Sequence, residues 1–123
     1  MQFRPDPPGL QHQFTGYGNG YVEVNGVRIE NSVIVGGDFI DRVGLPPERD
    51  RFTMAAAEKI LASKPELALF GTGARLQFPD RRALAPLQEA GIGVEVMDTA
   101  AACRTFNILL AEGRRVVAAL LVA

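Results

Sequence analysis

Asp98, Thr99, Cys103, Arg104, Thr105 and Asn107 place a carboxylate, two hydroxyls, a thiol, a guanidinium and an amide within ten positions of a 123-residue chain. They lie in the stretch VEVMDTAAACRTFN, where an apolar alternating run passes into a helix start. Three chemistries are open to such a set. A cysteine nucleophile needs a base or an electropositive neighbour to hold its thiolate. The one imidazole, His12, stands near the amino end, and nothing in the sequence folds it over Cys103 as a Cys/His/Asn hydrolase would require. Anion binding needs the unpaired N–H groups of a helix start, and Asp98 or Thr99 marks one. The third use is structural: Cys103 and Asn107, four apart, share a stripe at the margin of an apolar face, the ordinary place for partly buried packing groups.

Gly71-Thr72-Gly73 follows the apolar run Leu67–Phe70, where ligands collect in open α/β sheets. It resembles the opening of a dinucleotide fingerprint, but Leu76 stands in place of the third glycine and Pro79 follows, and no Gly-Lys-Ser/Thr sequence makes a phosphate loop. A tight turn at the mouth of a cleft is the expectation. If that turn and the Asp98–Asn107 junction end on one edge of the sheet, Arg75 and Arg104 would frame a small anion, with Thr72 and Thr99 supplying hydroxyls. The ligand-binding candidates are therefore Gly71, Thr72, Gly73, Arg75, Asp98, Thr99, Cys103, Arg104 and Asn107, with no catalytic residue, metal ligand or cofactor implied.

The elements that must position these residues follow from periodicity and punctuation. Residues 1–12, with Pro5, Pro7, Pro8 and Gly9, read as an arm laid on the surface, and 13–123 as one domain. Tyr21–Val24 and Val27–Ile29 flank Asn25-Gly26, the strongest short hairpin signal. Ser32–Val35 is another strand, closed by Gly36-Gly37, and Phe39 with Ile40 extends the small antiparallel layer. After Leu45-Pro46-Pro47, Thr53 is the expected cap of a helix through Ala56, Ala57, Ile60 and Leu61, ended by Pro65. Leu67–Phe70 is a strand buried on both sides. Asp80 caps a second helix, with Pro86 in an early turn or at a kink. Gly91–Val96 is a strand; a helix then runs from Asp98 or Thr99 with Ala102, Phe106, Leu109 and Leu110 inward, and Gly113 ends it. Val116–Val122 closes the sheet. Hairpins first and strand–helix alternation afterwards predict a mixed sheet with flanking helices.

Composition narrows the partners. Apolar residues make up 47% of the chain, sufficient for one substantial core. Thirteen basic against 14 acidic side chains leave a formal charge of -1, no field for nucleic acid or an anionic membrane. The adjacent pairs Arg81-Arg82 and Arg114-Arg115 read as solvated faces. A single cysteine forms no internal disulfide and fits a reducing compartment. MQFRPDPPGL has no apolar stretch suited to export, and the closing run is far shorter than the about twenty residues a span needs, so a soluble cytoplasmic protein without membrane insertion is expected. Phe3, Leu10, Phe14 and Tyr17 either seal the small β layer or line an apolar groove for a protein partner. A free sheet edge would allow a homo-oligomer.

The stretch from Gly91 through Asn107, continued by Arg114-Arg115-Val116-Val117-Ala118-Ala119-Leu120-Leu121, resembles the core of the Mth938-like, DUF498-type family of small domains of undefined biochemical function. That family includes bacterial and archaeal stand-alone proteins, an adipogenesis-associated domain protein and a mitochondrial assembly factor for respiratory complex I. The resemblance covers nearly the whole chain after the arm. It implies a three-layer α/β fold with a mixed central sheet and an additional small β layer. It also implies an uncharacterised scaffold or assembly-assisting protein of the bacterial type, with a binding protein for a small anion or other small molecule as the alternative and an enzyme less expected.

Overall fold

The structure, a computed structural model, describes residues 11–122. Of the expected arm only Gln11 and His12 fall within it; Phe3, Leu10 and Ala123 lie outside the described residues.

Two sheets form. The smaller joins β1 (Phe14–Gly18), β2 (Tyr21–Val24) and β3 (Val27–Ile29) as an antiparallel meander. Asn25 and Gly26, at φ 49° and 84°, turn β2 into β3 as the Asn-Gly signal requires. A second Asn-Gly pair, Asn19-Gly20, turns β1 into β2, a hairpin the sequence reading did not anticipate. Its signal is hidden because the register slips between Phe14 and Gly16, so Thr15 bulges out and the two-residue alternation of β1 is broken.

The larger sheet has the order β5-β4-β8-β6-β7, with β4 (Val33–Gly36), β5 (Ile40–Asp41), β6 (Leu67–Gly71), β7 (Gly93–Met97) and β8 (Val116–Leu120). β6, β7 and β8 run parallel to one another, while β4 is antiparallel to β8 and β5 to β4. Ile40 therefore does not extend the small layer; it pairs with Val35 on the antiparallel edge of the main sheet. β8 stops two residues short of the expected Val122, after which Leu121 N donates to Gly71 O at 2.9 Å.

Both faces of this sheet are covered, which is why β6 and β8 read as nearly continuous apolar runs. Ile34, Ala68, Phe70, Val117 and Ala119 point to one side, against Phe52, Ala56 and Ile60 of α1 (Arg49–Ser63) and Leu84 and Leu87 of α2 (Arg81–Glu89). Val33, Val35, Leu69, Val116, Ala118 and Leu120 point to the other, against Ala102, Cys103 and Phe106 of α3 (Thr99–Ala111) and against Phe14, Val22, Val24 and Ile29 of the small sheet. The layers are helices, mixed sheet, and α3 with the small sheet. Phe14 and Phe106 meet edge to face, ring centres 5.1 Å apart, a pairing that contributes about 1 kcal/mol beyond its buried area.

Helix boundaries show how far capping chemistry reaches. Thr53 is not the cap of α1: the helix starts after Glu48, whose side chain makes no capping bond, and Thr53 lies buried in the second turn with Oγ1 donating to Arg49 O. The first turn is fixed by burial of Phe52 together with Ala56 and Ile60, not by a polar cap. Asp80 does cap α2, accepting from Arg82 N at 2.9 Å. Pro86 stands inside that helix, at its sixth residue.

Candidate recess at the carboxyl edge of the sheet

β6 and β7 are parallel and in register at Gly71–Met97, and β6 and β8 at Gly71–Leu120, so the segments that follow all three strands emerge on one edge. The glycine turn and the start of α3 are thereby neighbours. Asp98 is the cap of α3: one carboxylate oxygen accepts from Ala101 N at 2.8 Å. Thr99, one position on, stitches three segments together. Its N–H donates to Gly73 O (2.9 Å), its Oγ1 accepts from Gly73 N (2.9 Å), and that hydroxyl donates to Leu121 O (3.0 Å). Gly71 is where α3 comes closest; a Cβ there would sit 2.9 Å from the Thr99 Cα.

Thr72 is buried and fully used. Its Oγ1 donates to Arg75 O at 2.6 Å and accepts from Gln77 N at 3.0 Å, closing the turn on itself. Gly73 holds φ at 95°, the left-handed region that favours glycine.

Between these segments and the tip of the β1–β2 hairpin lies an open cleft of about 260 Å³. Its walls are Tyr17 to Tyr21, Gly73 and Ala74, Asp98 to Ala100, and Leu121 with Val122. The hairpin wall was missed in the sequence, where Asn19-Gly20 between two tyrosines was its only signal. Gly73, Asp98 and Thr99 line the cleft; Gly71 and Thr72 stand behind it. Arg75 is exposed and is not among the lining residues. Nor is Arg104, whose Nη1 donates to the Tyr17 hydroxyl at 2.8 Å. The two guanidiniums expected to frame an anion are thus absent from the wall, and the charged group that is present is the Asp98 carboxylate.

The remaining two candidates face inward. Cys103 is fully buried between α3 and the sheets, and burial pushes its thiol up to about 12, with only partial opposition from the Arg104 charge. His12 donates from Nδ1 to Gly36 O at 2.9 Å and does not hydrogen-bond Cys103. Asn107 clips β1 to α3, its Oδ1 accepting from Phe14 N at 2.9 Å and its Nδ2 donating to Phe14 O at 2.8 Å. Both ends of the amide are consumed by the backbone of one residue.

A second cleft, of about 390 Å³, opens near the amino ends of β6 and β8. The arginines beside it are engaged: Arg114 with Glu66 and Arg115 with the carbonyl of Lys64. Among the described residues no helix is long and apolar enough to cross a membrane.

The geometry has known counterparts. A crystal structure of a Bordetella parapertussis protein superposes with a TM-score of 0.85 at 39% identity, covering 95% of this chain and 100% of that one. The solution structure of a Bordetella pertussis protein described as a Mth938-like domain gives 0.77 at 33% identity, covering 98% and 92%. The NADH dehydrogenase [ubiquinone] 1 alpha subcomplex assembly factor 3 of Xenopus tropicalis is 43% identical over 63 residues, 51% of this chain and 34% of that protein. The chain thus spans about a third of the assembly factor's length. The family model described as a protein of unknown function (DUF498/DUF598) matches residues 14–121. The fold is Mth938-like, and the chain belongs to the DUF498/DUF598 family.

Proposed function

We propose that this protein assists the assembly of a multi-subunit complex by binding one of its members in the cytoplasm. The observation that carries this reading is the similarity to the complex I assembly factor over half of the chain. The chemistry at the junction agrees with it. Thr72, Thr99 and Asn107 spend their side-chain polar atoms on the fold, one Asp98 oxygen caps α3, and Cys103 is buried and held as the thiol. What the protein offers outward is a shaped surface. Removing the gene from its native host and resolving the respiratory complexes on native gels tests the proposal. Subassemblies should accumulate and the complete complex should fall, with recovery on re-expression; an unchanged set of complexes would reject it.

The cleft supports a second reading, a small-molecule site built from the glycine turn, Asp98 and Thr99 with the hairpin tip. A carboxylate in the wall and guanidiniums outside it suit a hydrogen-bond donor better than an anion.

A further inference from the structure

The loop between β6 and α2 displays its apolar side chains instead of burying them. Phe78 is 69% and Leu76 51% exposed. Exposed loops ordinarily carry small polar residues, and large apolar groups held out in water mark interaction surfaces when they cluster. The loop is also firmly held. Thr72 closes its first half through Arg75 O and Gln77 N, Arg49 of α1 donates to the Gln77 side chain at 2.7 Å, and Asp80 N donates to Asp50 of α1 at 3.3 Å. Met54, one helical turn beyond Asp50 on α1, is likewise 60% exposed.

Charge surrounds this patch unevenly. Arg75 and Arg81 have no carboxylate at ion-pair distance among the described residues, whereas Arg82 is neutralised by Asp80 at 2.8 Å and Arg49 stands 3.6 Å from Asp50. We infer that the loop from Arg75 to Arg81 docks a protein segment presenting an apolar stripe flanked by carboxylates, with Phe78 and Leu76 as anchors and Arg75 and Arg81 receiving the charge. This deepens the assembly reading and rests on it. A pinned backbone lets Phe78 bind without a large ordering cost, the property of an interface anchor. An anionic bilayer fits less well, because its charge is spread over the whole contact and would press on Asp50 and Asp80, whereas a peptide can place its carboxylates at Arg75 and Arg81 alone.

The test uses the full chain and two designed amphipathic helical peptides with the same leucine stripe, one flanked by glutamates and one by lysines, with anisotropy as the readout. The glutamate peptide should bind and the lysine peptide should not. Phe78→Ser should weaken binding about tenfold or more, with Leu76→Ser acting in the same direction. The charge reversals Arg75→Glu and Arg81→Glu should weaken it further at low salt than at high salt. Both apolar positions are exposed, so the variants should keep the native circular dichroism. Equal binding of both peptides, indifference to Phe78→Ser, preferential binding to phosphatidylglycerol vesicles, or self-association lost in Phe78→Ser would each overturn the inference. If Phe78→Ser abolishes peptide binding but a strain carrying it assembles its complexes normally, docking lies elsewhere and the assembly reading stands.

Discussion

Cys103 illustrates how one position can carry a reactive group without reactivity. Four residues past the start of α3, its sulfur faces Phe106 and the apolar side of the sheet, and loss of water raises its pKa to about 12 from the ordinary 9.0. Alkylation by iodoacetamide followed by mass spectrometry should therefore leave the native protein unlabelled at pH 8, with labelling appearing only on unfolding or toward pH 12. Rapid labelling of folded protein at pH 8 would contradict this. The linkage to stability has a definite sign. The folded value lies above the unfolded one, so the contribution is complete below pH 9 and is lost as pH rises through about 12. Asn107 makes the same point for amides: its chemistry is real, and all of it is directed at Phe14.

At the scale of elements, the carboxyl edge of the sheet depends on two glycines for two different reasons. Gly71 has an ordinary φ but no room, since a Cβ would meet the Thr99 backbone at 2.9 Å and Leu120 at 2.8 Å. Gly73 has room but a φ of 95°. Gly73→Ala should cost about 1 kcal/mol through backbone strain. Gly71→Ala should cost about 1–3 kcal/mol because α3 must shift from β6. Urea denaturation of the two variants checks the order; Gly73→Ala as the more damaging of the pair would show that α3 is not packed tightly on this turn. The same edge shows what the sequence makes legible. Gly71-Thr72-Gly73, the Asp80 cap, the Asn25-Gly26 hairpin and the proximity of the glycine turn to Asp98 follow from local chemistry and from parallel strands sharing an edge. The bulge at Thr15 is not legible, because it interrupts the period that identifies β1. Neither is the start of α1, where burial of Phe52 replaces a capping side chain. The absence of Arg104 from the cleft wall is also illegible, since its side chain is held by Tyr17, which lies on another sheet far along the chain.

The whole molecule is asymmetric in how its layers are joined. The main sheet is covered by α1 and α2 on one side and by α3 and the small sheet on the other, so β6 and β8 are central to both cores. The small sheet has three strands of three to five residues and packs through one face, with Asn107 clipping β1 and the Phe14–Phe106 contact anchoring it. Three short strands are near the lower limit for independent stability. Local opening should therefore release β1–β3 at a lower free energy than β6 and β8 require. Native-state hydrogen exchange should show amides of residues 14–29 opening in one step below the global unfolding of Ala68, Leu69, Ala118 and Ala119. Asn107→Ala removes both bonds to Phe14 and leaves two backbone groups to find water, a cost of about 1–3 kcal/mol. That cost should fall mainly on the small sheet, widening the gap between the two sets of amides. Should all these amides exchange together in both proteins, the small sheet belongs to the same cooperative unit as the main one. The hairpin tip that forms one wall of the cleft would then be a fixed wall, not one that can open for a ligand.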